Sequence, residues 1–177
     1  HFSLISIIIF VLALSAAFVP FESQKNKKEA NSPFISIPKG SLLPVATITF
    51  FASLSEGAVA DWSAIFLKSV ASLNDGNAAL GFTVFSVCMF SMRLLGDRIS
   101  FILGPATAAR YSGLVALTGS IILLVSDSFL LLLLGFGLIG LGIAVIIPLA
   151  FSRAGNDETI SQGTAIASIA TLGYGGM

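Results

Sequence analysis

Charge, histidine and cysteine are all scarce in this chain. Charged residues make up 10% of its 177 positions, against about 25% in an ordinary soluble domain. So little charge cannot cover a water-exposed surface, and a hydrophobic content of 55% excludes intrinsic disorder. His1 is the single histidine, which excludes a histidine-built metal site and a Ser/His or Cys/His arrangement for nucleophilic catalysis. Cys88 is the single cysteine and cannot close an internal disulfide, so a disulfide scaffold is excluded as well. Nine Lys and Arg balance nine Asp and Glu, which leaves no basic face for nucleic acid. No catalytic group, metal or cofactor is expected, and neither an enzyme nor a nucleic-acid binder fits.

What the chain has instead is long apolar runs. Six can be read off: Phe2–Val19, Leu42–Leu67, Asn77–Leu95, Ala106–Ser126, Phe129–Phe151 and Ile160–Met177. Each is near or above the ~18–20 residues that cross a bilayer as a helix. They lack the alternation of a membrane barrel, and helices satisfy their backbone hydrogen bonds within hydrocarbon. The pattern predicts an all-α membrane protein with six transmembrane helices embedded in a lipid bilayer. A secretory signal peptide is the rival reading of residues 1–20, but the basic segment that should precede its apolar run is missing. The chain opens without methionine and stops inside its last apolar run, so a piece of a longer protein is expected.

Basic residues set an orientation. Lys25, Lys27, Lys28, Lys39, Arg93, Arg98, Arg110 and Arg153 fall on one side of an alternating six-span topology, and only Lys68 falls on the other. The positive-inside rule makes the richer side cytoplasmic. The polar segment 21–40 (FESQKNKKEANSPFISIPKG) then reads as a cytoplasmic linker.

Polarity also separates the spans. The first and fourth carry no ionisable residue at membrane depth, the pattern of peripheral, lipid-facing helices. The second carries Thr47, Thr49, Ser53, Ser55, Glu56, Asp61 and Ser63. The sixth carries Ser161, Gln162, Thr164, Ser168, Thr171 and Tyr174. Such groups need a partner or a wet cavity, so these two spans, with Ser53, Thr164 and Ser168 among their polar positions, are the expected cavity walls.

Glu56 stands out. It lies about 21 Å along its helix from Leu42, somewhat beyond the bilayer middle, where a carboxylate is expensive to ionise and can act as a proton-coupling site or fasten two helices. Asp61, five residues on, is rotated by roughly 140° and does not share its face. With Trp62 it reads as an interfacial pair, or else as an outer gate or substrate contact. Arg93 and the Gly96-Asp97-Arg98 turn are expected to close the third span at the cytoplasm, as a gate or as an ordinary anchor. Gly135, Gly137, Gly140 and Gly142 include a dinucleotide fingerprint, but inside a long apolar run they read as close helix packing. Pro148 is expected to bend that helix.

An apolar span, a basic linker and five further spans together resemble helices six to eleven of a major facilitator superfamily transporter. Leu95-Gly96-Asp97-Arg98 resembles that superfamily's cytoplasmic signature loop, although Arg93 and Ser100 stand where its motif has glycine. Glu56–Ala64 (EGAVADWSA) resembles the seventh helix of a fucose-permease-like and uncharacterised bacterial inner-membrane branch. Gly140–Ala150 and Thr171–Gly175 resemble its tenth and eleventh helices. The resemblance implies that residues 1–20 are the last helix of an N-terminal bundle, 21–40 a cytoplasmic linker and 41–177 an incomplete C-terminal bundle. It implies a secondary active transporter of the inner membrane, a monomer when full length. Such a protein moves a small-molecule solute, a sugar or related metabolite, by alternating access coupled to protons through Glu56. Drug or metabolite efflux and a non-transporting membrane subunit are the alternatives.

Overall fold

The computed structural model describes residues 38, 40, 42–71, 74–157 and 160–176, all within one compact unit. The predicted first span and all but two positions of the linker lie outside the described residues. Among those described, every regular element is a helix: α1 Leu42–Ala71, α2 Asp75–Ala78, α3 Leu80–Leu103, α4 Pro105–Val125, α5 Phe129–Ile143, α6 Ile146–Gly155 and α7 Gln162–Gly175.

Four stretches are long and apolar enough to cross a membrane: α1, α2 with α3, α4, and α5 with α6. Six were expected. The sixth run forms a helix of 14 residues, about 21 Å long against ~30 Å of hydrocarbon. The third span also runs further than hydropathy suggested. Ile99, Phe101, Ile102 and Leu103 carry it past Arg98, and it stops where Gly104 adopts φ 80° and Pro105 starts the next helix. A positive φ suits glycine, and proline is tolerated at a helix start, so this pair makes the turn. Arg93, Asp97 and Arg98 therefore stand within a helix, not in a loop.

Glycines bring α3, α4 and α5 together. On α5, Gly135 and Gly142 face α4: a Cβ on Gly142 would stand 2.5 Å from the Ala116 amide nitrogen and 2.6 Å from the Ser112 carbonyl oxygen. Gly119 of α4 returns the contact, with the Gly135 carbonyl oxygen 2.6 Å from where its Cβ would be. Gly137 and Gly140 face α3 instead, against Cys88 and the Phe85 carbonyl. The glycine-rich run is thus a two-sided packing device, as its apolar context predicts. Around it Phe85, Met89, Leu132, Phe136 and Ile139 form the larger apolar core. Helix α4 is the least buried of the four spans. Its outer face exposes Leu114, Leu117 and Leu124, in keeping with a lipid-facing position.

The fifth apolar run breaks at Ala144–Val145 and resumes as α6. Pro148 offers no N–H to the Ala144 carbonyl four residues back, and its ring crowds that carbonyl. Beyond the break, Ala150 and Ala154 pack with Leu42 and Ala46 of α1 and with Ala165 and Ile169 of α7 as a second, smaller core. Helix α7 starts at an N-cap in which the Ser161 hydroxyl accepts from the Thr164 amide at 3.3 Å. It lies so close to α1 that Gly176 abuts the Phe50 carbonyl.

Candidate functional site

The polar groups of α1 divide into those closed on their own helix and those left open. Thr47, Thr49 and Ser55 donate to carbonyls one turn back, on Leu43, Val45 and Phe51, at 2.9, 2.9 and 2.8 Å. Such bonds quiet a hydroxyl in hydrocarbon. Ser53 is almost fully buried and makes no hydrogen bond among the described residues. Ser53 borders a half-open cavity of about 270 Å³ between α1, α3, α6 and α7, whose other polar residues are Thr49, Glu56, Arg93 and Tyr174.

Glu56 and Arg93 meet there. The Arg93 Nη2 donates to Oε2 of Glu56 at 3.4 Å and to Oε1 at 3.5 Å. Glu56 lies about 21 Å from the start of α1, and Arg93 about 20 Å from the start of α3, so both stand near mid-membrane. The Glu56 side chain is 22% exposed and that of Arg93 44%. A charge at this depth is costly alone; here each ion supplies the other's counter-charge.

The pair also walls a second cavity of about 330 Å³, lined otherwise by Phe82, Phe85, Ser86, Met89 and Phe90 of α3 and by Gly57 and Ala60. Arg93 further borders a third space of about 440 Å³ that reaches Asp97, Ser100 and Ser152. Arg93 thus borders three openings at once.

Of the residues singled out from sequence, Ser53, Glu56 and Arg93 come together, and Asp97 lies on the adjoining space. The others expected at the cavity do not line it. Asp61 is exposed on another face of α1, as its 140° offset requires. Thr164 belongs to the α7 N-cap, where its hydroxyl accepts from Ser161 at 2.8 Å. Ser168 is fully buried and donates to the Ala165 carbonyl at 2.8 Å. Arg98 is exposed near the end of α3, outside these cavities. What hydropathy missed is the Arg93 partner of Glu56. The available signal was the apolar stretch between Arg98 and Gly104-Pro105, which moves Arg93 from the end of its span to the middle.

Long apolar helices, small-residue packing and an ion pair at mid-depth define a polytopic α-helical membrane protein with a polar interior. The relatives narrow the class. The chain is 36% identical over its whole length to an uncharacterised transporter of Sinorhizobium fredii, covering 47% of that protein. It is 34% identical over 83% of its length to an uncharacterised MFS-type transporter of Yersinia pestis (38% of that protein), and 33% identical over 76% of its length to membrane protein MosC of Rhizobium meliloti (33% of that protein). The chain thus spans a third to about half the length of these relatives. No family profile and no solved structure matches it. The likeness to these relatives is that of a fragment of a major facilitator superfamily transporter, and with the apolar helices it supports a multi-pass protein of the bacterial inner membrane.

Proposed function

We propose that Glu56 and Arg93 form the coupling centre of a secondary active transporter that moves a small solute together with protons by alternating access. The observation that carries this reading is the 3.4 Å ion pair at mid-membrane, set between two cavities. A carboxylate that exchanges its guanidinium partner for a proton changes the local charge by one. That is the minimum a coupling site must do. Ser53 and Tyr174 supply hydroxyls beside it for the solute. Asp97 and Arg98, toward the Gly104 end of α3, serve as the cytoplasmic gate, with the 21–40 linker on the same side. A sugar or related metabolite taken up by symport is the solute class that the family resemblance implies; efflux, the alternative, would exchange proton and solute in opposite directions. A subunit that only scaffolds other proteins has no use for a charged pair between two cavities.

The test is accumulation. In proteoliposomes under an imposed pH gradient, a solute panel is screened with the protein and with Glu56→Gln. We expect the variant to lose gradient-driven accumulation at least tenfold while solute exchange at equal pH persists. Undiminished accumulation removes Glu56 from coupling.

A further inference from the structure

Resting on that reading of the pair, we infer that the two cavities form one site for a small carboxylate with an apolar body. The carboxylate takes the place of Glu56 on Arg93 as Glu56 takes up a proton. The argument starts from unspent hydrogen bonds. A guanidinium has five N–H donors, yet among the described residues Arg93 contacts Glu56 through Nη2 alone. Among the described residues Nε and Nη1 are uncommitted, and the buried Ser53 hydroxyl and the Tyr174 hydroxyl make no hydrogen bond; Arg93, Ser53 and Tyr174 all border the polar cavity. Both Glu56 oxygens accept from Arg93. The unspent charged donors of the site are therefore on the guanidinium, with the Ser53 and Tyr174 hydroxyls able to donate beside them, which suits an acceptor-rich anion. Planar carboxylates match the guanidinium fork in a bidentate manner that a sugar hydroxyl cannot.

Across the ion pair the chemistry turns apolar. The Phe82 and Phe85 rings stack at 6.2 Å and 26°, and with Met89 and Phe90 they line the second cavity. A ligand held by its carboxylate at Arg93 can place a ring or short alkyl body there. The two volumes together fall in the usual range for small-molecule sites.

The charge balance fixes the stoichiometry. Before binding, Glu56 is ionised and paired with Arg93. Afterwards Arg93 pairs with the ligand's carboxylate, and Glu56, left without a counter-ion, holds one proton drawn from solution. One anion and one proton enter, so the step is electroneutral. Arg93 of α3 and Tyr174 of α7 are the ionisable groups that face Glu56 across the cavity, and Asp97 faces Arg93 from the adjoining space.

The experiment is binding with proton counting. Purified protein in weakly buffered detergent solution, with a pH dye, is titrated with benzoate, phenylacetate, hexanoate, benzamide, benzylamine and glucose. We expect at least one carboxylate to bind with uptake of about one proton per site, and the uncharged or cationic probes to bind at least tenfold more weakly. Glu56→Gln should bind that carboxylate without proton uptake. Arg93→Ala should weaken it about tenfold to a hundredfold. Glucose or benzylamine binding as tightly as the carboxylates overturns the inference, as does carboxylate binding without proton uptake or no binding of any carboxylate. Glucose accumulation that depends on Glu56 would leave the coupling role intact and remove the carboxylate. The two readings therefore fail separately.

Discussion

The bundle joins its helices in two opposite ways. Where α3, α4 and α5 meet, glycines let backbones touch, and almost nothing polar intervenes. Where α1, α3, α6 and α7 meet, the helices stand apart around charged and hydroxylated side chains. The first seam gains from dispersion, because lipid tails offer helices no hydrophobic reason to associate. The second gives up that packing and keeps open volume at mid-membrane. Close packing and open polar volume are thus segregated within one small bundle, and α3 is the element shared by both. Its Phe85 carbonyl abuts Gly140 on one side, while its Arg93 faces Glu56 on another.

Breaking the closed seam should have the largest effect. Gly142→Ala puts a methyl group against the backbone of Ala116 and Ser112, and backbone cannot swing aside. A loss of about 2–3 kcal/mol is expected, read as a lowered thermal midpoint in detergent. Gly113 on α4 has nothing within 4 Å of its would-be Cβ, so Gly113→Ala should be neutral or gain up to about 1 kcal/mol from helix propensity. Equal midpoints for the two variants would erase the distinction between packed and open glycines. At the polar seam, Arg93→Ala should cost about 1–2 kcal/mol, below the cost of breaking a fully buried pair because the guanidinium is half-open to the cavities. Adding Glu56→Gln to it should restore about 0.5–1 kcal/mol, since the stranded carboxylate is then gone. A double variant no more stable than Arg93→Ala would mean that the two side chains are not coupled. The smallest effect is at the rim: Ser161→Ala removes the cap of α7 and should cost about 1 kcal/mol, visible as faster amide exchange confined to the first turn of that helix.

Much of this was legible from residue order. Helical character, the small-residue packing of Gly135–Gly142 and the bend before Pro148 all follow from local chemistry. Glu56 also declared itself, because a carboxylate in an apolar run must be neutralised by a proton or a counter-ion. Its partner did not. Placing Arg93 required the true end of α3, and the two charges near that end, Asp97 and Arg98, made hydropathy stop early. The hydroxyls were harder still. Ser53, Thr164 and Ser168 look alike in sequence; only the placement of each helix decides which one borders a cavity, which one bonds to the Ser161 cap and which one closes on its own backbone.

The interruption at Ala144–Val145 falls where the two seams change over. Residues 129–143 are fixed among glycines, whereas 146–155 contribute Ile147 and Phe151 to the polar cavity and Pro148 and Ser152 to the neighbouring space. With no Pro148 N–H to tie it to the preceding turn, the second segment can tilt without first breaking that hydrogen bond. A single membrane crossing is thereby split into a half packed among glycines and a half that borders open polar volume. The boundary between the two environments runs through the middle of a span, where a division by whole helices would not find it.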